Sequence, residues 1–326
     1  MPQNVNRRQI LKFTGGIAAG AIAGGLLQPV MTGAAPINPN RKRVGRVAHL
    51  TDIHVEPELR ADKGLAACLK AARELKDKPD LVLNGGDAIM DSLKATRERT
   101  QVQWDLLMRV FRDECPIPIE HCIGNHDIWG WGGGKTDGSE ADFLYGKEWA
   151  QDVLLMEKPY RSFDRFGWHF VVLDSIQYRP GGGYIARIDD GQMEWLQADL
   201  EATPATMPVL VLSHVPILNA GALIGGNNPV DGKQYIVSGA AMILDARKLK
   251  NLFYKHPNVK LCLSGHIHLL DQIRYNGVTY ICSGAVCGNW WKGILQETPE
   301  GFGVIDLYDD GSHDFQYVAY GWKAGA

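Results

Sequence analysis

The sequence has little of three things that would point early to a function. Only six of its 326 residues are cysteine, and none stand in a Cys-x-x-Cys pair, which argues against a thiolate zinc module. The net charge is only −3, so the chain lacks the basic excess that neutralises nucleic-acid phosphates. No run after residue 40 is long and apolar enough to cross a bilayer. These absences favour a soluble, folded protein that binds no nucleic-acid polymer.

The first 35 residues have the layout of an export signal. The pair Arg7 and Arg8 precedes a mild apolar run, Phe13 to Leu27, and small residues follow as far as Ala35. This pattern predicts a twin-arginine signal peptide over residues 1–35, recognised by the twin-arginine translocation machinery, with the mature protein in the periplasm or outside the cell. That route carries folded proteins and suits a chain that must first load a metal. An uncleaved N-terminal anchor is the alternative.

The rest of the chain has the pattern of one α/β domain, which we assign to residues 44–326. Strands are predicted at RVAHL, DLVLNG and IPIEHCIG, with helices at GLAACLKAARELKD and RTQVQWDLLMRVFRDE between them. This β-α-β-α-β order predicts a parallel, right-handed sheet. Farther along we expect a helix near Phe143–Leu155, a hairpin turning at Arg165–Gly167, a long loop over Asn219–Gly239, a helix from Ser238 and antiparallel hairpins at the end. Two sheets flanked by helices are predicted.

The cysteines favour free thiols. Cys262 and Cys282 lie inside apolar strand-like runs, and Cys68 lies in a helical run. A disulfide between Cys115 and Cys122 is the alternative.

Polar side chains follow five of the predicted strands directly, at the edge where ligands collect in open α/β sheets. In chain order they are Asp52 and His54, then Asp87, then Asn125 with His126 and Asp127, then His214, and finally His266 with His268. Residues two apart on an extended segment point the same way, so Asp52 and His54 converge, as do His266 and His268.

These two pairs, with Asp87, Asn125 and His214, supply seven nitrogen or oxygen donors and no thiolate. Seven donors are too many for one tetrahedral zinc and suit two cations about 3.5–4 Å apart that share a carboxylate. Asp87 lies between the pairs in sequence and is the natural bridge. The donor types favour Fe, Mn, Zn or Co.

The ordered motifs DIH (52–54), GGD (85–87), GNHD (124–127), SHVP (213–216) and GHIH (265–268) resemble those of the calcineurin-like metallophosphoesterase superfamily, across about residues 46–285. The resemblance implies a four-layer αββα sandwich of two mixed sheets flanked by helices. It also implies a dinuclear centre that hydrolyses phosphoester bonds with a metal-bridging hydroxide. It assigns one metal to Asp52, His54, Asp87 and His268, and the other to Asp87, Asn125, His214 and His266.

The same resemblance leaves His126 without a metal, because Asn125 takes that place. His126 would stabilise the phosphoryl oxygens and protonate the leaving oxygen, with Asp127 orienting its imidazole. Purple acid phosphatases have a tyrosine where this chain has Met90 and lack the histidine found here as His54. The D-x-H form is more similar to bacterial phosphodiesterases of the cyclic-nucleotide and glycerophosphodiester types.

Several alternatives share this pattern. Phosphomonoesterases use the same ligand set, and a metal-containing scaffold without catalysis or a binding protein for phosphorylated ligands would also carry it. A small-molecule phosphoester substrate is expected. Within GNWWKG (288–293), Trp290 and Lys292 are predicted to contact it, the alternative being that the aromatics only plug the sheet edge.

Overall fold

The computed structural model describes residues 38–134, 136–224, 229–230 and 232–325. The predicted signal peptide, residues 1–35, lies outside the described residues. Over the described ranges, no helix combines the length and the apolar character needed to span a membrane.

The strands of the described residues are, in chain order, β1 (Arg43–Leu50), β2 (Leu81–Asn84), β3 (Ile119–His121), β4 (Arg161–Arg165), β5 (Trp168–Leu173), β6 (Ile176–Tyr178), β7 (Tyr184–Ala186), β8 (Val209–Ser213), β9 (Pro229–Val230), β10 (Gln234–Tyr235), β11 (Val259–Ser264), β12 (Leu270–Tyr275), β13 (Val278–Ser283), β14 (Gly301–Tyr308) and β15 (His313–Ala319). The helices are α1 (Ala61–Arg73), α2 (Arg97–Glu114), α3 (Glu148–Val153), α4 (Asp190–Ala202), α5 (Gly221–Ile224) and α6 (Ala246–Lys255), with a 3-10 turn at Asn125–Asp127.

The first sheet is the predicted β-α-β-α-β run with a hairpin added to it. β1, β2 and β3 pair in parallel, and α1 and α2 are the crossovers between them. β14 pairs antiparallel with β1, and β15 with β14, so the order is β15-β14-β1-β2-β3. The hydroxyl of Thr96 accepts a hydrogen bond from the Arg99 amide and so begins α2 where the sequence predicts a helix.

The second sheet has the order β12-β13-β11-β8-β5-β4. Its four central strands are parallel, and the predicted hairpin turning at Arg165–Gly167 adds β4 antiparallel at one edge. In both sheets the carboxyl ends of the parallel strands therefore form one edge, where the polar motifs follow.

The two sheets pack face to face with helices outside. Along β5, Trp168 and Phe170 belong to an apolar cluster that includes Leu83 and Ile305 of the first sheet. The alternate residue Val171 belongs instead to the cluster that contains the buried helix residues. Side chains of a strand alternate between its faces, so this division marks an inter-sheet layer and an outer sheet–helix layer. The predicted αββα sandwich is confirmed.

The connections differ from prediction. The helix expected near Phe143–Leu155 is reduced to α3, and the helix expected from Ser238 begins only at Ala246. The preceding amides of Ile243 and Leu244 bond to Pro216 and Ala186 instead, so tertiary contacts take the donors that a helix would use. The predicted loop over Asn219–Gly239 contains α5, β9 and β10. All six cysteines are free, including Cys115 and Cys122.

Candidate metal centre

The seven predicted donors follow strands of both sheets. In the first sheet they come after β1, β2 and β3, and in the second after β8 and β11. Because the sandwich brings these strand ends to one edge, side chains separated by more than 200 residues in the chain meet there. Six of the seven are buried, and His266 is partly buried.

The backbone at this edge is unusual. Asp52 and His54 have φ of 53° and 47°, Asp87 has 52°, and His266 and His268 have 70° and 60°. Each lies in the left-handed region, which costs a non-glycine residue of order 1–3 kcal/mol. The two pairs therefore converge through left-handed turns, and the expectation of an extended segment was wrong. Hydrogen bonds from the amides of Asp52 and His54 to Gly86 and Asp87 oxygens hold the first pair.

Glycine is required where these turns touch. A Cβ at Gly124 would lie 2.2 Å from the amide nitrogen of Asp87, and one at Gly265 would lie 2.2 Å from Asp52 Oδ2. Both contacts are far inside van der Waals range and one involves backbone that cannot move aside. The glycines of GNHD and GHIH thus permit the strand ends to approach one another.

One group of donor atoms gathers around His54. Its Nε2 lies 3.2 Å from His268 Nε2 and 3.5 Å from Asp87 Oδ2. His268 Nε2 in turn lies 3.3 Å from Asp52 Oδ1.

A second group gathers around His214. Its Nε2 lies 3.2 Å from each of three atoms, namely Asp87 Oδ2, Asn125 Oδ1 and His266 Nδ1. Asp87 Oδ2 therefore belongs to both groups. A single carboxylate oxygen shared between two sets of nitrogen and oxygen donors is the arrangement of a bridged two-metal site.

The chemistry of the donors fits cations. The Nδ1 atoms of His268 and His214 lie 2.8 and 2.9 Å from the backbone oxygens of Gly288 and Gly85, and His54 Nδ1 lies 3.4 Å from Met90 O. These carbonyls accept a hydrogen bond from Nδ1–H, so in the neutral ring each Nε2 presents a lone pair. Lone pairs that face one another at 3.2 Å are repulsive unless a proton or a metal cation lies between them. The described residues thus suit two metal ions.

Burial and charge act differently on the histidines. Burial lowers the pKa of His54 to about 3 and of His266 to about 4, which keeps both in the neutral form that binds metal. Burial also opposes the charge on His214, but the nearby Asp87 outweighs it and raises that pKa to about 9. For Asp52, burial is outweighed by His268, and its pKa lies below the ordinary value. Metal and proton therefore compete for His214.

The prediction that Asp127 orients the His126 ring is wrong. The Asp127 carboxylate is buried and accepts hydrogen bonds from four backbone amides, those of Gly124, Asp87, Ala88 and Ile89. It ties the turn after β2 to the turn after β3. The Asp127 side chain is short and follows Gly124 by three residues, so nearby backbone amides lie within its reach. Because these amides occupy both carboxylate oxygens, Asp127 does not orient the His126 ring.

His126 lies beside the donors. Its ring is 4.7 Å from the His54 ring, edge to face, and its amide donates to Asp87 Oδ1. The carboxylate near its imidazole is Asp91, with Oδ1 3.7 Å from His126 Nδ1. The buried Gln103 side chain holds Asp91 by bonding both its amide and its carbonyl. Sequence reasoning missed Asp91, because its position beside His126 depends on the contacts with Gln103 and not on a local pattern.

Of the two predicted substrate residues, Trp290 lies beside the donor groups and Lys292 does not. The Trp290 ring lies 4.5 Å from the His268 ring and 6.1 Å from that of His54, and it remains 36% exposed. The neighbouring Trp291 is buried and donates from Nε1 to the backbone oxygen of His54, which anchors the segment. Lys292 is exposed and makes no contact with the seven donors among the described residues; its charge acts on Glu56.

Cys287 was also missed. It is buried, with Sγ 3.9 Å from His268 Nδ1, and it groups with His54 and His268 as a possible metal cluster. Its spacing to the other cysteines gave no signal, because its histidine neighbours are distant in sequence.

A family model for calcineurin-like phosphoesterases matches residues 45–270. The chain belongs to the calcineurin-like phosphoesterase family. It is a metal-dependent hydrolase of phosphoric esters.

Similar proteins span almost the whole domain. A 3',5'-cyclic-nucleotide phosphodiesterase from Nostoc sp. is 25% identical over 288 residues, covering 84% of this chain and 91% of its own. The 3',5'-cyclic adenosine monophosphate phosphodiesterase of Escherichia coli K12 is 23% identical over 279 residues, covering 82% and 86%. A dimetal phosphatase from Danio rerio has a TM-score of 0.59 at 15% identity, covering 86% and 97%, which supports the fold.

Proposed function

We propose that this protein hydrolyses phosphodiesters of the 3',5'-cyclic-nucleotide class. The observation that carries the proposal is the single oxygen, Asp87 Oδ2, within 3.5 Å of donors from both groups. The two cyclic-nucleotide phosphodiesterases to which the chain is similar over four fifths of its length support the substrate class.

Two transition-metal ions are part of the proposal. One is held by Asp52, His54, Asp87 and His268, and the other by Asp87, Asn125, His214 and His266. Mixed imidazole, carboxylate and amide donors favour Fe, Mn, Zn or Co. When bound, such a pair polarises the phosphoryl oxygens and lowers the pKa of water.

His126 is the proton donor of this proposal. Its ring lies edge to face beside His54, and one of its ring nitrogens is within 4.8 Å of ligand atoms of His54 and Asp87, at the margin of the first donor group. From there it stabilises a phosphoryl oxygen and protonates the leaving oxygen. Asp127 contributes indirectly, because it joins the turns that carry Asp87 and His126.

Trp290 is the proposed contact for the nucleobase. Its exposed ring stands over His268, and the buried Trp291 fixes its backbone. Stacking on an aromatic face contributes about 1–3 kcal/mol per base and tolerates any base. Lys292 follows on the exposed side and would meet an anionic part of the substrate.

The test is metal content together with a paired assay. Purified protein loaded with manganese should hold two equivalents and hydrolyse bis-p-nitrophenyl phosphate faster than p-nitrophenyl phosphate. Cyclic AMP should then be turned over in preference to a glycerophosphodiester. Faster cleavage of the monoester would make the protein a phosphomonoesterase, and metal binding without turnover of any ester would make it a scaffold.

We propose that residues 1–35 direct export by the twin-arginine route. The mature domain then covers residues 44–326 and has no stable membrane span. The support is the Arg7–Arg8 pair and the mild apolar run after it. Residues 1–35 fused to a reporter enzyme should carry it into the periplasm of a bacterial host. Export that persists after both arginines are changed to lysine, or in a host lacking twin-arginine translocase, would refute this route.

A further inference from the structure

A two-stranded antiparallel ribbon lies beside the second donor group. β6 and β7 pair antiparallel, with Tyr178 opposite Tyr184. The ribbon starts just after β5, and Ser175 at its base accepts a hydrogen bond from the amide of Val215, the residue after His214. The hairpin end is attached to the loop that follows His126, because the Gly183 amide donates to the oxygen of Trp131. The ribbon is thus fastened at both ends to segments that carry site residues.

Tyr184 faces the centre from this ribbon. Its ring stands perpendicular to that of His266 with centroids 6.2 Å apart. Burial raises the pKa of its hydroxyl, and the charge of Asp87 raises it further. A phenol of ordinary pKa, about 10, is protonated at neutral pH, so the hydroxyl is able to donate a hydrogen bond. Among the described residues it has no hydrogen-bond partner, although the ring is only partly exposed.

The side chains of His126 and Tyr184 lie beside different donor groups. His126 contacts His54, in the first donor group, and Tyr184 contacts His266, in the second. A phosphoryl group held across both groups would meet His126 on one side and Tyr184 on the other. We propose that Tyr184 is a further catalytic residue, whose hydroxyl donates a hydrogen bond to a non-bridging phosphoryl oxygen; this rests on the proposed function.

The contribution is a hydrogen bond and involves no proton transfer. The phenol keeps its proton throughout, and the developing negative charge on phosphoryl oxygen strengthens the bond in the transition state. Because a non-bridging oxygen remains on phosphorus, the effect should not depend on which leaving group departs. This separates the role of Tyr184 from that of His126.

The test compares Tyr184→Phe with Tyr178→Phe. Both remove one hydroxyl and keep the ring, and Tyr178 lies opposite on the same ribbon with its ring against Trp131. Removal of the Tyr184 hydroxyl should lower kcat about 10²-fold, equally for p-nitrophenyl and alkyl leaving groups, with metal content unchanged. Inorganic phosphate, titrated by calorimetry into the metal-loaded proteins, should bind to Tyr184→Phe about 10-fold more weakly than to the wild type. Tyr178→Phe should match the wild type in every measurement.

Three results would overturn the proposal. Unchanged kcat and phosphate affinity in Tyr184→Phe would make the residue a packing partner of His266. A loss that grows with the pKa of the leaving group would place the hydroxyl on the leaving oxygen. Lost metal would make it structural. If the wild type hydrolyses no ester, the proposed function fails, yet the phosphate titration still reports whether the hydroxyl contacts the bound anion.

Discussion

Two regions of this molecule combine histidine with aspartate, and they are built in opposite ways. At the start of β5, His169 Nδ1 lies 2.6 Å from Asp164 Oδ1 and its Nε2 lies 2.9 Å from Asp199 Oδ2. Every ring nitrogen there faces a carboxylate oxygen. At the strand edge, nitrogen faces nitrogen between His54 and His268 and between His214 and His266, each pair at 3.2 Å.

The two regions differ in whether each hydrogen-bond donor faces an acceptor. The His169 cluster pairs donors with acceptors, so it is complete as an ion pair and has no place for a metal. At the centre, Nδ1 of His54, His214 and His268 bonds to backbone oxygens and each Nε2 faces other ligand atoms, so a proton or a metal cation must lie between them. Residue type cannot separate the two regions. The backbone carbonyls behind His54, His214 and His268 separate them, because the His169 ring has carboxylates on both nitrogens instead.

The largest effect should come from the shared carboxylate. Asp87→Asn keeps the shape of the side chain and removes the charge that both donor groups use, so the protein should bind at most one metal equivalent and lose at least about 10³ in turnover. Elemental analysis after manganese loading measures this. Asp199→Asn is the matched control and should keep two equivalents. Two equivalents in both variants would remove the distinction between the clusters.

His126 lies between these extremes, since its Nδ1 is 3.7 Å from Asp91, close but not hydrogen-bonded. His126→Ala should keep both metals and lose about 10²–10⁴ in turnover of substrates with poor leaving groups. Asp91→Asn, which affects the ring only through its orientation, should lose about 10-fold. Rates for alkyl and p-nitrophenyl esters measure both. Wild-type rates on alkyl esters in His126→Ala would contradict the proton-donor role.

The sequence allowed the strand-end residues to be found because geometry leaves them little choice. Parallel strands of one sheet end at one edge, so polar residues after β1 and β2 lie together, as do those after β8 and β11, and the face-to-face packing of the two sheets joins the two sets. Asp91, Cys287 and Tyr184 reach the same place through loop docking. Their positions depend on contacts such as the Gln103 clamp on Asp91 and the attachment of Gly183 to Trp131, and no local pattern encodes these. The expected role of Asp127 failed similarly, because local amides compete for its oxygens.

Metal binding should release protons. Near neutral pH the metal-free centre holds a proton on His214, whose pKa is raised to about 9, and on His268, whose pKa is also raised against the effect of burial by Asp52. Because the metals need neutral imidazoles, loading should release about one to two protons and strengthen as pH rises from 6 to 9. Calorimetry in two buffers of different ionisation enthalpy counts these protons. Affinity that is independent of pH would contradict the competition.

The smallest effect should be found at the His169 cluster, and its pH dependence should run the other way. The hydrogen bond that His169 donates to Asp199 raises the pKa of His169 above 6.5, and burial only partly opposes it. The folded protein therefore holds a proton that the unfolded chain releases, so this stabilisation is complete below pH 6.5 and is lost as pH rises through the folded pKa.

Asp199→Asn should consequently lower the free energy of unfolding by about 1–2 kcal/mol at pH 6 and by less at pH 9. The figure is small because Asp164, the other partner, is 62% exposed and remains available to His169. Urea unfolding of variant and wild type at both pH values measures the difference, in which the pH dependence of metal loading cancels. Asp164→Asn should cost less than Asp199→Asn, since its carboxylate is better solvated. A deficit that grows towards pH 9 would mean that His169 is neutral in the folded protein and that the cluster is no ion pair.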